Sequence, residues 1–114
     1  QFTRGKSFDT FAPCGPWITS TDEVADPQNL QLITRINGQV RQNSSSKNMF
    51  IGIPSIVSQL SKVMTLEKGD IIATGTPEGV AMNNPDFPFL KDGDSIEMEI
   101  EKLGKIQNTV KFID

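Results

Sequence analysis

Leu30-Gln31-Leu32-Ile33-Thr34-Arg35-Ile36-Asn37-Gly38-Gln39-Val40 is the stretch on which the fold turns. Leu30, Leu32, Thr34 and Ile36 alternate with Gln31, Ile33 and Arg35, the period of a strand with one buried face. Asn37-Gly38 follows, and both residues tolerate the positive φ of a type I′ turn. Gln39 to Ser44 is the return strand, with Val40 its only strongly apolar residue. A hairpin therefore lies near the middle of the chain.

Further along, Lys91-Asp92-Gly93-Asp94 reads as a tight turn. Ile96, Met98 and Ile100 then alternate with Glu97, Glu99 and Glu101, a strand with an acidic solvated face. Leu103-Gly104 turns the chain, and Ile106 to Ile113 closes a second hairpin. Between the hairpins, Pro54 suits the start of a helix, where its missing N–H is no loss. Ile53, Ile56, Val57, Leu60 and Met64 make one apolar stripe, which predicts a helix ending near Met64. Thr65 to Asp70 is a turn, Asp70-Ile71-Ile72-Ala73 a short buried strand, and Asn83 to Pro88 an insertion-like loop. Asp26-Pro27 marks a turn, Trp17-Ile18-Thr19 a short strand, and residues 1–16 an ordered loop. The class is α+β, rich in β, with one short helix and no alternating βαβ pattern.

At 114 residues the chain is one domain at most. A chain of this size is expected to bury roughly two thirds of its unfolded surface. Hydrophobic residues make up 36%, low enough that part of the core is expected from a neighbour. Eleven basic against 14 acidic residues leave a net charge of −3 and no basic block, which argues against nucleic acid. Arg35, Arg41 and Lys47 read as solvated surface. No apolar run approaches a membrane span. Cys14, the single cysteine, excludes an intrachain disulfide and favours a reducing compartment. The expectation is cytoplasmic, or mitochondrial in a eukaryote. Without any histidine to activate it, Cys14 reads as a buried or half-buried structural thiol. The start at Gln1, directly before a dense motif, reads as a cut in a longer polypeptide.

Two segments could carry chemistry. In Thr74-Gly75-Thr76-Pro77 a glycine turn is flanked by hydroxyls that can bind a carboxylate or phosphate oxygen. The same residues also suit a plain strand-ending turn. The nucleotide-loop spacing is missing. Gly5-Lys6-Ser7 places a lysine beside a glycine, where it could pair with a substrate oxyanion or simply sit on the surface. Asp9, Asp22, Glu23 and Asp26 show no metal-ligand spacing.

In order along the chain, several short motifs resemble the fumarylacetoacetate hydrolase family. They are Gly5-Lys6-Ser7-Phe8-Asp9, Gly15-Pro16-Trp17, Asp26-Pro27, and Asn37-Gly38 with Arg41-Gln42. Ser61-Lys62 before Thr65-Leu66 follows, then Gly69 through Pro77 with Gly79-Val80, and Leu90 through Asp94 with the Glu-rich strand to Leu103-Gly104. The long loop before Leu90 is most similar to the domain-containing protein 2 members. The resemblance implies a mixed β-roll, with residues 1–114 the C-terminal portion of a catalytic domain, usually in a homodimer. It implies a magnesium or manganese ion and short substrates of the 2-oxo or diketo acid type. Hydrolysis, decarboxylation and isomerisation, all through a metal-held enolate, are its reactions. By similarity Lys6 would stabilise the oxyanion, Thr76 would bind the substrate carboxylate, and Gly75 and Thr74 would shape that turn. The family's three carboxylate ligands and its His-Glu pair lie N-terminal to the lysine loop and are absent from these residues. Ser45-Ser46 stand where the family often has Asn-Thr. The isolated chain is therefore expected to show no turnover. A non-catalytic interaction module of the same fold is the alternative reading, and a phosphate-ligand binder using the Thr-Gly-Thr turn is a third.

Overall fold

The computed structural model describes residues 1–113. Four strands, β1 (Gln31–Ile36), β2 (Gln39–Ser45), β3 (Ser95–Ile100) and β4 (Gly104–Thr109), form one sheet in the order β2-β1-β3-β4. The α+β, β-rich class is as expected, and the pairings among the described residues are all antiparallel.

The central hairpin forms as its sequence predicts. Asn37 and Gly38 have φ of 51° and 78°, the turn that matches strand twist. Asn37 also fastens this turn to the other hairpin. Its Nδ2 donates to Asp94 Oδ1 at 2.8 Å, and its Oδ1 accepts from the Ser95 N–H at 2.9 Å. Hydrogen bonds from the Asn37 amide first, and from the Lys91 N–H second, hold the Asp94 carboxyl below its ordinary pKa.

The two faces of the sheet differ in chemistry. Ile33, Arg35, Glu97, Glu99 and Lys105 share one face by register. There Arg35 bridges Glu97 at 3.0 Å and Glu99 at 2.9 Å, and Lys105 reaches Glu97 at 3.1 Å. Lys105 foremost, then Arg35, lower the Glu97 pKa. The acidic strand face expected is present but only partly solvated, with Glu99 exposed and Glu97 half-buried in ion pairs, while Arg35 is an ion-pair hub rather than plain solvated surface. Leu32, Thr34, Ile36, Ile96, Met98, Ile100 and Ile106 line the opposite face.

Helix α2 spans Ile53–Leu60. Its first N–H, on Ile53, is accepted by Gln28 Oε1 at 2.6 Å, a cap supplied from 25 residues away. The helix ends four residues before Met64. A looser turn continues it, in which the Met64 N–H still donates to the Leu60 carbonyl.

Several expectations need correction. A second helix, α1 (Phe2–Lys6), occupies part of the stretch read as loop. Gly5 does not prevent it, because one glycine costs only about 1 kcal/mol against alanine in a helix. Trp17-Ile18-Thr19 and Asp70-Ile71-Ile72-Ala73 are not strands. Neither has a partner strand among the described residues, and apolar character alone makes no ladder. Ile71 is 77% exposed rather than buried. Cys14 is exposed, not a buried thiol. Arg41 is not simply solvated, since its guanidinium lies 4.5 Å from the centre of the Phe87 ring.

The expected core also fails to close. Val24 and Leu30 are the only buried hydrophobic residues described. The chain exposes 9568 Å², whereas a compact monomer of this size exposes about 6200 Å². It therefore buries about half of its unfolded surface, not two thirds. A radius of gyration of 15.5 Å against the compact value of about 13 Å agrees.

Candidate functional site

The candidate site is built on β2. Thr34 pairs with Gln42 and Arg35 with Val40, so the register skips Arg41. One extra residue turns all that follow it to the other face. Val40 lies on the ion-pair face, and Gln42 is delivered to the apolar face beside Thr34. Gln42 there meets the segment 76–78. Its Nε2 donates to Thr76 Oγ1 at 2.8 Å, to the Pro77 carbonyl at 3.1 Å and to the Glu78 carbonyl at 3.3 Å.

Gly79 completes the contact. Its φ is +100°, and a Cβ there would overlap the Arg41 carbonyl oxygen and approach Gln42 Cγ to 3.0 Å. Only glycine lets the two backbones come this close. Residues 76–80 with Asn84 then enclose a cleft of about 360 Å³.

Thr74, Gly75 and Thr76 are exposed. Gly75 has φ +112° with nothing within 4 Å of a Cβ position. Its backbone conformation demands glycine, and the space above it is open. Lys6 ends α1 with its side chain in solvent. Among the described residues, no hydrogen bond or ion pair joins Lys6 to Thr74, Gly75 or Thr76. The structure thus keeps Thr74–Thr76 in one exposed irregular segment and leaves Lys6 apart.

Sequence reasoning gave no role to Gln42, Arg41, Gly79 or Phe87. Gly79 was visible as a motif glycine, but its contact with Arg41 and Gln42 on β2 was not. Gln42 sits in a polar strand with no local signal that a skipped residue re-aims it.

A divalent ion of the magnesium type prefers several oxygen ligands, carboxylates among them. Among the described residues no three His, Cys, Asp or Glu side chains are placed to hold a metal ion. These residues do not fit such a site by themselves. No described helix is long and apolar enough to cross a membrane.

The chain is similar to several known proteins. A fumarylacetoacetate hydrolase domain-containing protein 2 homolog from Dictyostelium discoideum is 50% identical over 97% of this chain and 39% of its own length. The oxaloacetate tautomerase YisK of Bacillus subtilis is 44% identical over 96% of this chain and 36% of its own. Fumarylacetoacetate hydrolase from psychrophilic Exiguobacterium antarcticum superposes with a TM-score of 0.92 at 46% identity, over 99% of this chain and 40% of that one. Maleylpyruvate hydrolase from Sphingobium sp. SYK-6, in complex with manganese(II) and pyruvate, gives 0.82 at 41% identity, over 91% and 37%. The chain spans about two fifths of the length of the curated relatives it matches. The profile described as fumarylacetoacetate (FAA) hydrolase C-terminal matches residues 1–111, and this chain belongs to that family.

Proposed function

We propose that this chain is the C-terminal portion of the catalytic domain of a hydrolase or isomerase acting on short 2-oxo or diketo acids. The observation that carries the reading is the exposed Thr74-Gly75-Thr76 segment, tied to β2 by the Gln42–Thr76 hydrogen bond and with open space above Gly75. Relatives named as an oxaloacetate tautomerase and a maleylpyruvate hydrolase support the substrate class.

In this reading the Thr76 hydroxyl donates to the substrate carboxylate, and Thr74 and Gly75 shape the turn that presents it. Lys6 faces the oxygen on which charge develops as the substrate becomes an enolate. A fixed cation there favours the charged state over the neutral ground state, which lowers the barrier. Lys6 must approach Thr76 for this, and the contacts that bring it in come from outside these residues. The manganese of the Sphingobium enzyme supports a divalent ion in the complete protein, with ligands beyond this chain. The surplus apolar surface is assigned to the rest of the domain and to a second copy in a homodimer. No nucleic acid or membrane is part of the reading, and a reducing compartment, cytoplasmic or mitochondrial, fits the one cysteine.

The test is to assay the full-length protein, with manganese, for oxaloacetate enol–keto interconversion by ultraviolet absorbance and for maleylpyruvate hydrolysis. Turnover of at least one is expected, and turnover of neither would overturn the reading. In the active assay, Thr76→Val is expected to raise KM roughly 10- to 100-fold, the value of a hydrogen bond to a charged group. An unchanged KM would remove Thr76 from the site.

A further inference from the structure

Resting on that reading of Thr76, we propose that Gln42 is a positioning residue that makes the Thr76 hydroxyl a hydrogen-bond donor toward the substrate carboxylate. Two observations place it. The skipped Arg41 turns Gln42 onto the face where the Thr74–Pro77 turn lies. Gly79 then holds that turn against the same stretch of β2.

The direction of the hydrogen bond is fixed by its neighbours. The Pro77 and Glu78 carbonyls can only accept, so the Gln42 amide must present its NH₂ to this loop and not its oxygen. An NH₂ has two hydrogens for three acceptors, so one is shared. Thr76 Oγ1 is the nearest acceptor, at 2.8 Å. A hydroxyl has one hydrogen and two lone pairs. Once a lone pair is engaged by Gln42, the hydrogen points away from Gln42, where an anionic oxygen can accept it. A carboxylate at position 42 would reverse this arrangement. It would take the Thr76 hydrogen for itself and set a negative charge against two carbonyl oxygens.

The test uses the full-length protein, oxaloacetate as substrate, and the variants Gln42→Glu, Gln42→Met, Thr76→Val and Gln42→Glu/Thr76→Val. Gln42→Glu is expected to raise KM roughly 10- to 100-fold, with a smaller change in kcat. Gln42→Met keeps the side chain's length without charge, covers the case in which the glutamate variant fails to fold, and is expected to raise KM roughly tenfold. The double variant is expected to cost clearly less than the product of the two single effects, because both changes remove one shared interaction. The proposal is overturned if both Gln42 variants keep the wild-type KM. It is equally overturned if the Gln42→Glu and Thr76→Val effects multiply, since Gln42 would then act on the loop and not through the hydroxyl. Thr76→Val with a wild-type KM would overturn the underlying reading of Thr76, a failure distinct from either of these.

Discussion

Lys6→Ala in the full-length protein is expected to lower kcat by roughly 10²- to 10³-fold, the loss that follows removal of one group stabilising a developing oxyanion. KM for the oxo acid is expected to change much less. The distinction follows from where the charge sits. The carboxylate is charged before and after the reaction, so on the proposed reading Thr76 would contribute to ground state and transition state alike. The enolate oxygen gains its charge only on the way to the transition state, so on that reading Lys6 would contribute there. Lys6 ends a short helix and is exposed among the described residues, so within them the substitution removes charge without opening a cavity. Thermal stability should be within experimental error of wild type. The measurement is steady-state kinetics beside a thermal melt. A kcat within a few-fold of wild type would remove Lys6 from the chemistry.

Gly79→Ala is expected to damage stability and activity together. A φ of +100° is strained for any residue with a Cβ, at about 1–3 kcal/mol. The added methyl would also overlap the Arg41 carbonyl oxygen and crowd the Arg41 carbonyl carbon and Gln42 Cγ, each at 3.0 Å. Backbone, not the end of a mobile side chain, stands in the way. Either β2 or the 76–80 segment must shift, and the Gln42 bonds to Thr76, Pro77 and Glu78 are lost with that shift. A loss of about 3 kcal/mol lowers the melting temperature by roughly 6–12 °C in a domain of about 150–250 residues. The variant should also show a raised KM at temperatures where it is still folded. A melting temperature unchanged from wild type would contradict the packing described here.

The sheet was readable because its signals are local. Alternation in Leu30–Ile36 and Ser95–Ile100, and the Asn37-Gly38 turn, need no knowledge of partners. Asp70–Ala73 and Trp17–Thr19 misled because apolar residues in a short run carry no information about pairing. Ile71 is apolar yet exposed, so its hydrophobicity has no partner within the described residues. The same cause explains Cys14. Its burial was inferred from residue type, whereas burial is a property of what surrounds it. For the site, the need for glycine at position 75 was legible in Thr74-Gly75-Thr76, and its φ is +112°. Gln42 was not legible as its clamp. That role depends on one skipped residue in the β1–β2 register and on a glycine 37 positions downstream, and no window of sequence holds both. The distant cap of α2 by Gln28 was invisible for the same reason.

The most direct measurement is a crystal structure of the full-length protein with manganese and pyruvate. The expected result is a pyruvate carboxylate oxygen within hydrogen-bond distance of Thr76 Oγ1, Gln42 Nε2 still donating to that hydroxyl, and Lys6 Nζ beside the pyruvate keto oxygen. Pyruvate bound with neither Lys6 nor the Thr74–Thr76 turn in contact would contradict it.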